Sequence, residues 1–158
     1  MKKSVKSFTG KRLFYDTVVS TNDLMQDIIK NSNPEEGTVI YTSFQTGGRG
    51  HLGNIWQSDK GKNLLFSILL FPEFLPVAKQ FELSKIVSLA LFDVTHRLCN
   101  GIRIKWPNDI YAGSRKIAGI LIENVVAGTR MVRCIAGIGL NVNQEHFNPD
   151  LPNPTSLF

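Results

Sequence analysis

The sequence predicts an α+β domain, a mixed and largely antiparallel β-sheet covered by helices. Three observations lead there. β-rich stretches follow one another across tight turns, at Ala112-Gly113-Ser114 and Ala127-Gly128-Thr129. Helical periodicity is confined to two segments, so helices and hairpins are not strictly alternated as in a parallel α/β fold. The chain has 158 residues, 42% hydrophobic and 20% charged, which fits one globular domain with its own core.

Taken in order, residues 8–19 alternate loosely and end as a short strand. Ser20-Thr21 offers a helix cap, with Asn22 and Asp23 in the first turn and an apolar face of Leu24, Met25, Ile28 and Ile29. Asn31-Ser32-Asn33-Pro34 stops that helix. Residues 38–44 are a strand, and the glycine-rich run TGGRGHLGNIW follows it. Residues 64–70 are a buried strand. A long helix is expected over residues 77–98, its inner face built from Leu83, Ile86, Val87, Ala90, Leu91, Val94 and Leu98. Residues 102–106 alternate as a strand that Pro107 ends. A hairpin pairs Ile110-Tyr111 with residues 116–126, and residues 130–142 return as another long strand. The tail NPDLPNPTSLF has no periodicity.

Composition excludes several classes. Cys99 and Cys134 are far apart and lack metal-type spacing, so both read as free thiols of a reducing compartment. No apolar run approaches the ~18 residues of a membrane span, and no apolar region follows the basic start MKKSVKSFTGKR. A cytoplasmic protein with no membrane contact is expected. The net charge is +5, with five of the first twelve residues Lys or Arg. Such a balance suits phosphates or an acidic protein, but no zinc spacing, RNP-like strand or helix-turn-helix pattern argues for DNA.

Residues with chemical potential fall in three places. Gly48-Arg49-Gly50-His51-Leu52-Gly53 satisfies G-x-G-x-x-G, yet the residues after it do not read as a helix, so a dinucleotide fold is not supported. What survives is local: glycine backbone N–H groups and a guanidinium can hold an anion, and Trp56 can stack on a base. A surface turn beside a core tryptophan is the alternative. Lys105-Trp106-Pro107-Asn108-Asp109 gathers a cation, an aromatic ring, an amide and a carboxylate at a strand exit, or is simply that exit. Lys116 enters an otherwise apolar strand, either as a solvated end or as a phosphate ligand. Gly137-Ile138-Gly139-Leu140-Asn141 permits close backbone approach beside an amide, or marks a bulge with a capping Asn.

Together and in this order, Ser20-Thr21-Asn22, Gln45 with GRGHLGNIW, KWPND (105–109), RKIAGILIE (115–123) and GIGLNVN (137–143) resemble the biotin protein ligase family over roughly residues 13–158. The resemblance implies a fold of the class II aminoacyl-tRNA synthetase/biotin ligase type. It also implies a two-step reaction in which biotin is activated by ATP as biotinyl-AMP and transferred to a lysine of a biotin carboxyl carrier protein. On motif position it implies biotin contacts from Ser20, Thr21, Gln45, Gly48, Arg49, Lys116, Gly119 and Gly137. Catalytic roles go to Lys116 and Arg49, and nucleotide contacts to Trp56, Asn108 and Asn141. Mg²⁺ accompanies ATP on its phosphate oxygens, with no protein metal ligand assigned.

Departures from the family pattern accompany it. His51 and Asn54 stand where the family often carries arginine. No DNA-binding domain precedes the catalytic one, so no DNA contact is expected, while a homodimer stays open. The domain, residues 1–158, is expected to lack its C-terminal end and a small C-terminal β domain. Ligation of lipoate or a related acid, and a truncated non-catalytic biotin-binding module, are the alternative readings.

Overall fold

The computed structural model describes residues 10–158; the first nine residues of the basic start, with the first positions of the alternating stretch at residue 8, lie outside the described residues. Seven strands form one sheet in the order β1-β2-β3-β7-β6-β5-β4. They are β1 (Arg12–Val18), β2 (Val39–Gln45), β3 (Asn63–Leu70), β4 (Ile102–Lys105), β5 (Asp109–Ala112), β6 (Arg115–Ala127) and β7 (Arg130–Asn141). β1 and β2 pair in parallel; every other neighbouring pair is antiparallel. The α+β expectation therefore holds: the antiparallel part follows from tight hairpins, and the one parallel pair requires a crossover.

That crossover is α1 (Thr21–Asn31). Ser20 is in extended conformation and its side chain accepts from the Asp23 N–H, an N-cap. At the other end Asn31 Nδ2 and Ser32 Oγ donate back to the carbonyls of Asp27 and Ile28, at 2.8 and 2.7 Å, and the helix stops. Met25 is fully buried against Ile40, Leu69 and Ile135, with Leu24, Ile28 and Ile29 around them. α1 thus covers β2, β3 and β7 on one face of the sheet.

α2 (Phe81–Thr95) covers the opposite face, over β4, β5 and β6. It is shorter than the sequence suggested: a single tight turn at Val77–Lys79 precedes it, and it ends before Leu98. Its inner face is also rotated. Leu83, Ser88, Leu91 and Thr95 are buried, while Ile86, Val94 and Leu98 are 54%, 56% and 52% exposed. The helix is apolar nearly all round, so spacing alone did not single out the buried stripe. Thr95 can lie inside because its hydroxyl donates to the Leu91 carbonyl at 2.8 Å.

The main core is Ile102, Ile110, Ile117, Ala118, Ile120, Ala136, Ile138 and Leu140 beneath Leu91. Ile117 and Ala118 are sequence neighbours, yet both face this core. The register between β5 and β6 slips there, from Ile110↔Ala118 to Tyr111↔Lys116. The extra residue is a β-bulge, and it turns Lys116 onto the face of the sheet opposite the core.

The tail after β7 is pinned rather than loose. The Lys116 N–H donates to the Asn153 carbonyl at 2.8 Å, the Thr155 N–H donates to the Lys116 carbonyl at 2.9 Å, and Phe158 bonds back to Val142. Among the described residues no helix is long and apolar enough to cross a membrane.

Because Met25 fills the α1 core completely, Met25→Ala should lower unfolding free energy by about 2–5 kcal/mol. Urea melts of the two proteins measure it, and a loss below ~1 kcal/mol would mean that α1 does not depend on this contact.

Candidate functional site

The site is built on bare sheet. Gly119 and Gly139 pair across β6 and β7, and Gly137 lies two residues along. The Trp56 indole rests on this floor: a Cβ added to Gly139 would stand 2.7 Å from Cζ2 and Nε1 of the ring, and one on Gly119 2.9 Å from Cζ3. At Gly137 the space is taken by the Asn22 amide, whose Cγ would stand 2.9 Å from such a Cβ. Glycine is required at these three positions because no side chain fits between sheet and occupant.

The glycine-rich loop opens no helix. It makes one tight turn at His51–Gly53, where Leu52 has φ 56° and Gly53 φ 79°. The loop folds back on itself, with the Gly50 N–H on the Asn54 carbonyl at 2.7 Å and the Trp56 N–H on the Gly48 carbonyl at 2.9 Å. Gly48 is buried under that return, since a Cβ there would lie 2.5 Å from the Trp56 carbonyl oxygen.

Lys116 projects into the cleft from its bulge. Its ammonium is 2.7 Å from Asp109 Oδ1 and 5.7 Å from the centre of the Trp56 ring. Asn108 fastens the turn that carries Asp109: its Nδ2 donates to the Ile120 carbonyl at 3.1 Å, and its own carbonyl accepts the Ile120 N–H at 2.8 Å.

A second polar cluster surrounds the start of α1. The Thr21 N–H and hydroxyl both donate to Gln45 Oε1, at 2.8 and 3.2 Å. Ser67, fully buried, donates to Thr21 Oγ1 at 2.8 Å or to Asn22 Oδ1 at 2.6 Å. Asn22 Nδ2 donates to Glu123 Oε2 at 2.7 Å. Arg49 meets Glu123 end-on through both terminal nitrogens, at 2.9 and 2.8 Å, and reaches Asp23 at 2.6 Å. The hydrogen bonds it donates to Glu123, followed by the charges of Glu123 and Asp23, hold the Arg49 guanidinium above its ordinary range. Burial pushes the Cys134 thiol up to about 12, so it is no nucleophile at neutral pH; Cys99 is free as well.

Of the residues singled out in the sequence, Lys116, Trp56, Asn108, Gly119 and Gly137 line one cleft, together with His51 and Asn54. Thr21, Gln45, Gly48 and Arg49 stand beside it. Ser20 is 3% exposed and its hydroxyl serves as the cap of α1. Asn141 lies outside the cleft lining; its Nδ2 donates to the Thr155 carbonyl at 3.0 Å, and its Oδ1 is buried without a partner. Sequence reasoning assigned no role to Asn22, Asp23, Asp109 or Glu123. For Glu123 a signal existed: it alternates with Gly119 and Leu121 on one side of an apolar strand.

A sheet cleared of side chains, a cation aimed onto it and a glycine-rich loop folded over it are the features by which this domain is compared with others. The chain belongs to the biotin/lipoate A/B protein ligase family, whose model matches residues 14–141. It is 34% identical over 146 residues to the bifunctional ligase/repressor BirA of Bacillus spizizenii, covering 91% of this chain and 44% of that protein. The biotin protein ligase of Aquifex aeolicus in complex with biotin and ATP superposes with a TM-score of 0.75 at 31% identity, over 93% of this chain and 59% of that one. The Leishmania major biotin protein ligase in complex with biotinyl-5-AMP gives 0.76 at 25% identity, over 93% and 63%. The chain thus spans less than half the length of the curated relatives it matches first.

Gly139→Ala should lift the Trp56 indole off the floor. In a Trp106→Phe background, acrylamide quenching of the remaining tryptophan should rise. Unchanged quenching would show that the ring does not rest on Gly139.

Proposed function

We propose that this domain activates biotin with ATP as biotinyl-AMP and passes the biotinyl group to a lysine of a biotin carboxyl carrier protein. The observation that carries this reading is the Lys116 ammonium, turned by a bulge into a glycine-floored cleft and tethered to Asp109. The Aquifex aeolicus relative was solved with biotin and ATP and the Leishmania major relative with biotinyl-5-AMP, which supports the same chemistry here.

In the first step a biotin carboxylate oxygen attacks the α-phosphorus of ATP and pyrophosphate leaves. Negative charge builds on the phosphoryl oxygens between carboxylate and leaving group. Lys116 and Arg49 are the cations that oppose it, in a site where fixed donors act with little reorganisation. In the second step the carrier amine attacks the anhydride carbonyl, AMP leaves with the bonding pair, and the amine loses a proton. No protein nucleophile is required. Biotin takes Thr21, Gln45, Gly48, Gly119 and Gly137 as its surroundings, and the nucleotide takes Trp56 and Asn108; Ser20, buried as the cap of α1, and Asn141, buried outside the cleft lining, act through the frame they hold. The free thiols Cys99 and Cys134 suit a cytoplasmic setting.

The cleft encloses about 130 Å³, less than the ~300 Å³ at the small end of ligand pockets. Entry of the substrates therefore requires the loop or the Trp56 ring to move. Among the described residues no group of three or more His, Cys, Asp or Glu side chains could hold a metal ion. Asp109, the carboxylate in the cleft, is already paired with Lys116. A Mg²⁺ cage made by the protein does not fit, and the ion belongs to the nucleotide as part of the substrate.

Biotin-dependent ATP–pyrophosphate exchange tests the reading, with lipoate as the competing acid because the family includes both. Exchange with biotin and not with lipoate is expected; exchange with lipoate alone would reassign the substrate. Lys116→Ala should cut exchange by roughly 10² to 10³ at an unchanged melting temperature, the usual cost of one donor to developing charge. Lys116→Arg should rescue incompletely, because its donors sit in a fixed, wider fork. A folded Lys116→Ala protein with undiminished exchange would remove Lys116 from the chemistry. His51→Arg should slow escape of biotinyl-AMP from the cleft, since a guanidinium adds a permanent charge facing the phosphate; equal release from both proteins would count against that.

A further inference from the structure

We propose that Glu123 and Asp23 are positioning residues that fix Arg49, and through it the glycine-rich loop, over the cleft. The inference rests on the functional reading above only in calling Arg49 a substrate contact; the clamp itself is a property of the free protein.

The geometry is specific. Glu123 takes both terminal nitrogens of the guanidinium, at 2.9 and 2.8 Å, the end-on fork that gives direction as well as attraction. Asp23 takes one of those nitrogens from the other side at 2.6 Å. The two carboxylates come from different elements, β6 and the first turn of α1, so the guanidinium bridges the sheet and the helix that flank the cleft. Neither carboxylate is loose. Asp23 sits in the turn whose N–H is capped by Ser20. Glu123 Oε2 also accepts from Asn22 Nδ2 at 2.7 Å, and Asn22 Oδ1 lies 2.6 Å from the buried Ser67 hydroxyl. Asn22 has room because residue 137 is glycine. Rigid, fully buried structure is thus linked by successive hydrogen bonds to an arginine on a loop that otherwise touches the sheet mainly at its ends. Those ends are the Thr46 and Gly47 N–H groups on β1 and its exit, both at 2.9 Å, and the Trp56 ring on its glycine floor.

The charge count adds a second consequence. Two carboxylates face one guanidinium, so the cluster carries one net negative charge beside a site proposed to receive anions. Arg49 keeps a second NH1 hydrogen and its Nε–H for a ligand while the fork to Glu123 stays made. Glu123 therefore sets where those remaining donors point, and Asp23 limits how far the guanidinium can swing.

Trypsin reads the clamp directly, because a guanidinium held by two carboxylates cannot enter the protease pocket. In the ligand-free protein, cleavage after Arg49 should be slow and should quicken with added salt. Glu123→Gln, which keeps an acceptor for Asn22 but loses the charge, should speed it on the order of tenfold and shrink the salt effect to what the Asp23 pair leaves. Asp23→Asn should speed it less. In pyrophosphate exchange Glu123→Gln should raise KM for biotin severalfold with a smaller change in kcat. Wild-type cleavage rate and wild-type KM in folded Glu123→Gln and Asp23→Asn proteins would overturn the proposal. If Glu123→Gln does not fold, Asp23→Asn decides alone, since Asp23 takes no part in the Asn22 link. Faster cleavage in a protein without biotin-dependent exchange would uphold the clamp and reject the ligase reading.

Discussion

The absence of side chains at Gly119, Gly137 and Gly139 is the constraint on which the site depends. Three missing Cβ atoms on neighbouring positions of β6 and β7 bring an indole and an amide into contact with sheet backbone. The rest is arranged around that clearing. α1 presents Asn22 to it end-on, the glycine-rich loop lays Trp56 across it, and the bulge at Ile117 turns Lys116 toward it. The core that makes the clearing rigid lies on the other face, where Ile120, Ile138 and Leu140 pack beneath α2.

This division of labour explains why the two helices sit on opposite faces. α1 buries Met25 against β2, β3 and β7 and reaches β6 only through Asn22 at its first turn, leaving the rest of that half of the face to the glycine-rich loop and Trp56. α2 does the reverse. A sheet covered fully on both sides would have had no surface to offer; one covered on alternate halves offers half of each face. Arg49, Asp23, Asn22 and Glu123 at the boundary are paired with one another, which keeps the margin of the cleft ordered.

Much of this was legible in the sequence, and what was not has physical reasons. Strand and turn positions followed from period-2 runs and from Gly113 and Gly128, both at positive φ in the turns they were expected to form. The capped start of α1 was legible because Ser20 and Asp23 carry that signal locally. The inner face of α2 was not, because burial of Ser88 and Thr95 depends on tertiary packing and on a hydroxyl bonded within its own helix. The direction of Lys116 was not legible either. Plain alternation places it with Ala118 and Ile120 on the core side, and only the one-residue slip against β5 reverses it. The carboxylates Asp23, Asp109 and Glu123 were visible as residues, but their pairing joins positions as far apart as 49 and 123, which no local pattern encodes.

The pinned tail makes the position of Lys116 depend on residues distant in the chain. β7 ends at Asn141, so the backbone of Lys116 finds its outer partners only in residues 153 and 155, nearly forty positions further along. The glycine clearing and the bulge are made by β5, β6 and β7 alone, whereas the strand end that carries Lys116 is covered on its outer side by the tail. That end is closed on its outer side only by residues 153 and 155, so a lesion that frees them would reach the strand end that carries Lys116 without touching the cleft.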